Sequence, residues 1–322
     1  MSHAPPALLA DIGGTNARFA VLREGVVGKP LILSVADFPT VEDAMVLALH
    51  RLAPGGDVRQ AVLALAGPVP RDPGAADVRL TNAGWCFAAP AIAARFGFAR
   101  VRLVNDFLAL AHALPHLGGL DLLPIGAGVA EAGAPMLVLG PGTGLGAAAL
   151  VGDTAVPTEG GHIGLAPANA EQEAVIAALR RRAGRAGAEE ALSGRGIVAL
   201  HAILAERRAV DVPSRDAAAV LACAETCEVA HATRAMFLAL LAGYAGDMAL
   251  AWGARGGVFI AGGIMPRLAA KLDRGQFRSA FEAKPPMTQY LAGIPLNLIT
   301  HPAPAFVGLA AIAAAPNPRG GE

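Results

Sequence analysis

The chain has 322 residues, of which 54% are hydrophobic and 16% charged, and its 26 basic residues balance its 26 acidic ones. This length accommodates two ordinary domains, and the high apolar content argues against disorder. Because no basic excess exists, electrostatic binding of nucleic acid or of an anionic membrane is not expected.

Two long uncharged stretches, residues 132–152 and 285–318, resemble membrane spans by length. Both contain prolines, and the first also has a density of glycines that a lipid-exposed helix does not carry. The apolar run 235–246 ends at Asp247 and is too short to span. Residues 1–13 lack the basic start of a signal peptide. The sequence therefore predicts a soluble, cytoplasmic protein without a membrane partner.

Alternating apolar runs and helical spacings predict a mixed α/β organisation. The predicted strands are 7–12, 17–22, 31–35, 62–66, 101–104, 136–139, 147–151 and 257–261. The predicted helices are 41–52, 88–96, 107–113, 171–182, 196–205, 217–222, a long one near 227–253, and 305–315. Each half of the chain opens with a strand, a glycine turn and a second strand, which indicates a distant internal duplication.

The three cysteines, Cys86, Cys223 and Cys227, are too few for a disulfide framework. Cys223 and Cys227 lie one helical turn apart, so they could either bind a metal or pack in the hydrophobic core. Core filling is favoured because no CxxC motif is present.

The first motif with chemical content is Asp11-Ile-Gly13-Gly14-Thr15-Asn16. A carboxylate ends a strand, and the glycines leave the following backbone amides open to an anion. This combination suits a phosphate chain with Mg²⁺ held by Asp11, directly or through water. An ordinary hairpin turn explains the same residues.

The second motif is the glycine-rich segment 140–146, which contains Gly142 and Thr143. It formally matches a dinucleotide-binding fingerprint, but a strand rather than a helix is predicted to follow it. A second phosphate loop is the better interpretation. The chain has no GxxxxGK[ST] motif, so it is neither a P-loop NTPase nor, with three lysines in total, a typical protein kinase.

Polar residues at strand ends and in glycine loops complete the candidate site. Asn105 and Asp106 follow a predicted strand, where an aspartate acts as a general base or simply caps a helix. Glu159 and His162 flank two glycines. Their side chains offer the paired hydrogen-bond donors and acceptors that sugar hydroxyls need, but an ordinary surface loop explains the same residues. Glu189 is ambiguous from its own segment. Gly262 and Gly263 end a buried strand and allow a flat ring such as adenine to approach.

Taken together and in order, these segments resemble the bacterial glucokinase family of the hexokinase–actin superfamily. The matching segments are ADIGGTNARFAVL (10–22), LTNAGW (80–85), VNDF (104–107), GPGTGLG (140–146), EGGHIGLAP (159–167), AEEALSGRG (188–196), FIAGGIMPR (259–267) and FRSAFE (277–282). They span nearly the whole chain.

The resemblance implies a fold of two ribonuclease-H-like α/β domains with mixed sheets around a central cleft. The expected domains are residues 1–112 with 303–322, and residues 113–302. The implied activity is ATP-dependent phosphorylation of the 6-hydroxyl of glucose, with Mg²⁺, in a cytoplasmic homodimer of glycolysis that binds no nucleic acid. The alternatives are a kinase for another hexose or amino sugar, a kinase that uses polyphosphate, and a non-catalytic sugar sensor.

The resemblance also implies a role for each matching residue. Asp106 is the expected catalytic base and Asp11 the expected Mg²⁺ ligand. The implied sugar-binding residues are Asn105, Asp106, Gly142, Glu159, His162 and Glu189. The implied nucleotide-binding residues are Asp11, Gly13, Gly14, Thr15, Asn16, Gly142, Thr143, Gly262 and Gly263.

The sequence departs from the family pattern at two positions beside the expected sugar site. Gly164 stands where the family commonly has Asp, and Pro141 stands where a small residue is usual. Neither removes a role named above, but both are candidates for shifting sugar preference. The zinc-binding cysteine cluster of the related repressor-and-sugar-kinase group is missing, and no helix-turn-helix precedes Asp11, so a DNA-binding repressor is not expected.

Overall fold

The structure is a computed structural model that describes residues 5–70, 77–80, 84–213 and 215–315. The strands are β1 (Ala7–Ile12), β2 (Asn16–Arg23), β3 (Val26–Val27), β4 (Leu31–Ser34), β5 (Gln60–Leu65), β6 (Val78–Arg79), β7 (Cys86–Phe87), β8 (Arg100–Asn105), β9 (Leu122–Pro124), β10 (Met136–Pro141), β11 (Leu145–Val151), β12 (Thr154–Thr158), β13 (Gly257–Ile260) and β14 (Leu296–Ile299).

The α-helices are α1 (Val41–Leu52), α2 (Ala89–Phe96), α3 (Asp106–Ala113), α4 (Ala170–Ala183), α5 (Ala188–Ala191), α6 (Gly194–Arg207), α7 (Ala217–Ala222), α8 (Glu228–Trp252), α9 (Met265–Leu268), α10 (Arg274–Glu282), α11 (Thr288–Ala292) and α12 (Pro304–Ala314). Short 3₁₀ turns lie at Val35–Asp37, Leu114–His116, Gly119–Asp121, Gly160–His162 and Ala269–Lys271. The chain divides into two compact units, formed by the described parts of 1–117 with 302–322, and of 118–301. The fold class is mixed α/β, as predicted.

The first unit is built on the sheet β3-β2-β1-β5-β8, with β4 also paired to β2. Strand β1 is antiparallel to β2 and parallel to β5, and β5 is parallel to β8. Alternate residues of β1 point to opposite faces of the sheet. Leu8 lies in the cluster that contains Met45 of α1, whereas Leu9 lies in the cluster that contains Phe306 of α12. The sheet is therefore covered on both faces.

Helix α12 packs on α3 and on strands β1 and β5. The helices approach closely at Gly308, where a Cβ atom would lie 1.8 Å from the Ala109 carbonyl oxygen. Arg102 Nη1 of β8 donates to the Ile312 carbonyl at 2.6 Å. A cation at the C-terminal end of a helix interacts favourably with its dipole. These contacts fix the C-terminal segment to the sheet of the first unit.

The second unit repeats this topology with the sheet β12-β11-β10-β13-β14-β9. Strands β10, β11 and β12 form an antiparallel meander, and β10, β13 and β14 are parallel. This is the strand order of the first sheet, with β9 added at one edge. The shared topology supports the internal duplication that the two glycine-turn hairpins predict.

Within the described residues, α8 is the one helix that is long and apolar enough to cross a membrane by length and composition. A helix in the core of a protein passes the same test, and 56% of its most apolar window is buried. The helix continues past the apolar run that ends at Asp247, whose carboxylate pairs with Lys284 Nζ at 2.6 Å. Phe237 and Leu241 of α8 are fully buried in the core of the second unit.

Candidate active site

The first glycine turn joins β1 to β2, as the sequence predicts. Gly13 N donates to the Asn16 carbonyl at 3.0 Å, which closes the turn. Gly14, Thr15 and Asn16 are exposed. The exposed backbone and hydroxyl groups leave the turn open to a phosphate group.

Asp11 lies at the carboxyl end of β1, directly opposite Arg18 in the β1–β2 register. Burial raises the pKa of Asp11, and the ion pair with Arg18 Nη1 at 3.0 Å opposes that rise. Arg18 is not among the predicted site residues, although its position across a tight hairpin, seven residues from Asp11, already places the two side by side.

The Asp11 carboxylate is a suitable ligand for Mg²⁺, which is typically held by one or two carboxylates together with substrate phosphates and water. Within the described residues, no group of three or more His, Cys, Asp or Glu side chains forms a complete protein cage for a metal. The donor set therefore fits a nucleotide-bound Mg²⁺.

Asn105 ends β8 and caps the N-terminus of α3. Its Oδ1 accepts from the backbone N–H groups of Phe107 and Leu108 at 2.9 and 3.2 Å. Its Nδ2 donates to the Gly67 carbonyl and to Asp106 Oδ1, each at 3.0 Å. The capping role thus belongs to Asn105, and its fully engaged amide orients the neighbouring carboxylate.

Asp106 is the first residue of α3, so it is not the helix cap. Burial raises its pKa to about 6, and the nearby charge of Asp11 acts in the same direction. The hydrogen bond from Phe107 N, at 3.0 Å, opposes the rise. A carboxylate with a pKa near neutrality is suited to accept and release a proton.

The second glycine turn joins β10 to β11 and is closed by a hydrogen bond from Gly142 N to the Gly144 carbonyl at 2.7 Å. Thr143 is exposed at its tip. The turn is followed by a strand, so the dinucleotide-binding interpretation lacks its helix.

The glycines at the end of β13 lie against the same turn. A Cβ atom at Gly262, whose φ is +87°, would lie 2.3 Å from the Pro141 carbonyl oxygen. A Cβ atom at Gly140 would lie 2.4 Å from the Ala261 carbonyl carbon, whereas Gly263 faces open space. The two backbones can pack this closely only because both positions are glycine.

Glu159 and His162 flank a buried glycine pair beside β11. Their side chains are 72% and 62% exposed, and Glu159 Oε2 lies 3.8 Å from His162 Nε2. A Cβ atom at Gly161 would lie 2.0 Å from the Leu145 carbonyl oxygen. The glycines therefore anchor the loop while both polar side chains remain free to bind a ligand.

Glu189, in α5, contacts the second glycine turn. Its Oε2 accepts from Leu145 N at 2.9 Å, and its Oε1 pairs with Arg195 Nη2 at 2.5 Å. No local pattern indicates this contact, because the two partners are 44 residues apart. The predicted site residues do not include Arg195.

The structure distributes the predicted residues between the two units. The first unit contains Asp11, Gly13, Gly14, Thr15, Asn16, Asn105 and Asp106. The second unit contains Gly142, Thr143, Glu159, His162, Glu189, Gly262 and Gly263. Within each unit, they gather around the glycine turn and the carboxyl ends of the parallel strands, where open α/β sheets bind ligands.

The repeated sheet with two glycine-turn hairpins is the fold of solved sugar kinases. The glucokinase family model matches residues 8–316. A glucokinase from Paramagnetospirillum magneticum is 39% identical over 318 residues, which cover 96% of this chain and 98% of that protein. The chain belongs to the glucokinase family.

Solved structures agree with this assignment. A glucokinase from an Antarctic psychrotroph superposes with a TM-score of 0.86 at 36% identity, covering 96% of this chain and 98% of that one. A ROK family glucokinase from Streptomyces griseus, in complex with glucose and AMPPNP, has a TM-score of 0.64 at 19% identity, covering 95% and 98%. The second likeness is one of fold alone.

Proposed function

We infer that the chain is an ATP-dependent glucokinase, which transfers a phosphoryl group from ATP to the 6-hydroxyl of glucose and forms glucose 6-phosphate. Membership of the glucokinase family over nearly the whole chain supports the activity. The observation that carries the mechanism is the partly buried carboxylate of Asp106 at the carboxyl end of a parallel strand, where desolvation raises its pKa to about 6.

Asp106 is the general base. It accepts the proton of the 6-hydroxyl as that oxygen attacks the γ-phosphorus, and the bond to the leaving ADP oxygen breaks. Asn105 holds Asp106 by donating to its Oδ1 at 3.0 Å. Because phosphoryl transfer requires little covalent chemistry from the protein, this positioning supplies much of the catalysis.

Glu159, His162 and Glu189 bind the ring hydroxyls of glucose, together with the backbone at Gly142. Asn105 contributes by orienting Asp106, because its own amide is already bonded within the protein. Each sugar hydroxyl both donates and accepts a hydrogen bond, so carboxylates paired with an imidazole suit it. The high exposure of Glu159 and His162 leaves them free to make these bonds.

The two glycine turns bind the phosphates of ATP through Gly13, Gly14, Thr15, Asn16, Gly142 and Thr143, and Gly262 with Gly263 lies against the adenosine. Asp11 holds Mg²⁺, directly or through water. When bound, Mg²⁺ neutralises charge that develops on the phosphates. The AMPPNP complex of a protein with the same fold supports ATP as the donor.

We also propose that the chain is a cytoplasmic homodimer that acts in glycolysis without a membrane partner. Two exposed apolar side chains of the second unit, Leu120 and Val129, are 99% and 85% exposed and are candidates for a subunit contact. Size-exclusion chromatography with light scattering tests the dimer, and a monomeric mass contradicts it.

A coupled assay of ADP release tests the activity across glucose, mannose, fructose, N-acetylglucosamine and no sugar. We expect release with glucose and a reduction by about 10²-fold or more in Asp106→Ala, while glucose still binds. Near-normal turnover in that variant contradicts the mechanism. If the enzyme releases ADP faster with another sugar than with glucose, it is a different hexose kinase. If it binds glucose without releasing ADP, it is a sugar sensor.

A further inference from the structure

The segment that carries Glu189 is bonded to both sides of the second glycine turn. Glu189 Oε2 accepts from Leu145 N at 2.9 Å, and Gly194 N donates to the Gly142 carbonyl at 2.9 Å. A Cβ atom at Gly144 would lie 2.5 Å from Glu189 Oε2. The carboxylate thus occupies the space that the glycine leaves open.

Arg195 holds the other oxygen of the same carboxylate. Its Nη2 lies 2.5 Å from Glu189 Oε1 and 3.4 Å from Glu190 Oε1. The Glu189 side chain is only 15% exposed, whereas that of Arg195 is 61% exposed. The guanidinium therefore contacts the carboxylate from its solvent side, opposite the backbone N–H of Leu145.

The position of Arg195 in its own helix is unfavourable. It lies in the first turn of α6, where the helix dipole disfavours a cation. Its guanidinium is 61% exposed, so the charge of Arg195 adds little to the stability of the fold. Helix stability therefore does not account for an arginine here, but orientation of Glu189 does.

We propose that Arg195 is a positioning residue for phosphoryl transfer, which holds Glu189 against Leu145 N. This rests on the proposed function, in which Glu189 binds the sugar and the turn at Gly142 and Thr143 binds phosphate. Each carboxylate oxygen can accept a second hydrogen bond, so sugar hydroxyls add to the existing contacts without breaking them. Arg195 thereby fixes the sugar ligand relative to the phosphate turn.

Loss of Arg195 leaves the carboxylate held by one backbone N–H. Glucose then has to order the Glu189 side chain when it binds, which weakens affinity. Because the same carboxylate bonds to the phosphate turn, the KM for ATP rises as well. The turnover number is retained, since Asp106 and its partners are untouched.

The test is Arg195→Gln in the full chain, with kcat, both KM values and glucose affinity by calorimetry. We expect the KM and Kd for glucose to rise roughly threefold to tenfold, a smaller rise in the KM for ATP, and kcat within about twofold. The melting temperature falls by no more than about 2 °C, because Arg195 is 61% exposed and the Glu189 carboxylate keeps its hydrogen bond from Leu145 N. Arg195→Lys restores part of the affinity, since it keeps the charge without the planar fork.

Arg182→Gln is the matched control. Arg182 Nη2 pairs with Glu206 Oε2 at 2.7 Å and is 43% exposed, and neither partner has a role in the proposed site. Glu190→Gln removes the second partner of Arg195. Both variants are expected to keep the parent KM values.

An unchanged glucose Kd in Arg195→Gln overturns the proposal. An equal rise of the glucose Kd in Arg182→Gln also overturns it, as does a loss of kcat in Arg195→Gln with unchanged KM values. The proposed function fails separately, if the unmodified chain does not phosphorylate glucose. If the parent enzyme has normal glucokinase activity and the Arg195→Gln variant has unchanged glucose affinity, only the proposed role of Arg195 is contradicted.

Discussion

Asp106 lies at the end of a strand, where a catalytic base is proposed, and partial burial makes its ionised form unfavourable. Because a base must be ionised to accept a proton, we expect kcat/KM to fall as the pH drops through about 6 and to level off above about 7. Below the pKa, the fall approaches tenfold per pH unit. Initial rates between pH 5 and 9 at constant ionic strength measure this profile. Equal rates at pH 5 and pH 7 contradict the assignment.

The same raised pKa makes a prediction for stability. The folded state holds the Asp106 proton up to about pH 6, whereas the unfolded chain releases it near the ordinary value of 3.8. Stability from this group is therefore present below pH 4 and is lost as the pH rises to about 6. We expect Asp106→Asn to be more stable than the parent by about 2–3 kcal/mol at pH 7.5. Denaturant unfolding should show that the gain disappears near pH 4.

Sequence reasoning located the strand end at Asn105 and Asp106 but left base and helix cap as alternatives for Asp106. The structure resolves the capping question because the Asn105 side chain bonds to the N–H groups of Phe107 and Leu108. Glu189 was ambiguous because its partner, Leu145, is distant in the chain. Local patterns identify residue types at element ends, but they do not reveal long-range contacts.

At the scale of elements, α10 and α11 are joined by the buried side chain of Arg278, which lies in the FRSAFE segment. Its guanidinium donates to the carbonyls of Leu291, Ala292 and Ile294 at 3.0, 2.7 and 2.8 Å, and it pairs with Glu282. The arginine thus donates hydrogen bonds to carbonyl groups at the end of α11 and in the segment that leads to β14, and so links both to α10.

We expect Arg278→Met to destabilise the second unit by about 3 kcal/mol or more, because two buried carbonyls, one partly buried carbonyl and a carboxylate lose their donor. Arg278→Lys recovers part of this loss, since one ammonium cannot reach all four groups. Urea unfolding gives both values. Arg274→Met is the control on the same helix, because Arg274 is exposed and makes a single 3.4 Å bond to Pro124. A loss below about 1 kcal/mol in Arg278→Met contradicts this role.

Elements with a clear local pattern agree with the structure, whereas several elements without one are absent from the sequence-based prediction. Helices α1 and α7 begin and end where the sequence places them. Strand β12 was missed because it contains Pro157, which is tolerated there because β12 is an edge strand. Strands β9 and β14 are short, and their pairing joins residues far apart in the chain. Their assignment depends on a partner strand rather than on local periodicity.

At the scale of the whole molecule, the duplicated topology explains why the candidate residues fall into two sets. Each sheet has a glycine turn within a hairpin, and further candidate residues follow a parallel strand, namely Asn105 and Asp106 after β8 and Gly262 and Gly263 after β13. One copy contains Asp106, and the other contains Glu159, His162 and Glu189. The two copies thus share a strand topology, but their side chains have different proposed roles, catalysis in one copy and sugar binding in the other.

The two copies also have separate cores, and this leads to the last prediction. Phe19 is fully buried in the core of the first unit, and Phe237 is fully buried in that of the second. Removing a buried phenylalanine side chain costs about 3–5 kcal/mol through lost burial and the cavity that remains. We therefore expect two calorimetric transitions, with Phe19→Ala lowering one and Phe237→Ala lowering the other.

The conservative variants Phe19→Leu and Phe237→Leu provide the control, because they keep most of the buried volume and should shift the same transitions by less. Units that fold around separate cores unfold separately when few interactions link them, whereas strongly linked units melt together. A single transition that both alanine variants lower equally contradicts independent cores. In that case, the stability of the two copies is coupled, and substitutions in either core affect the whole chain.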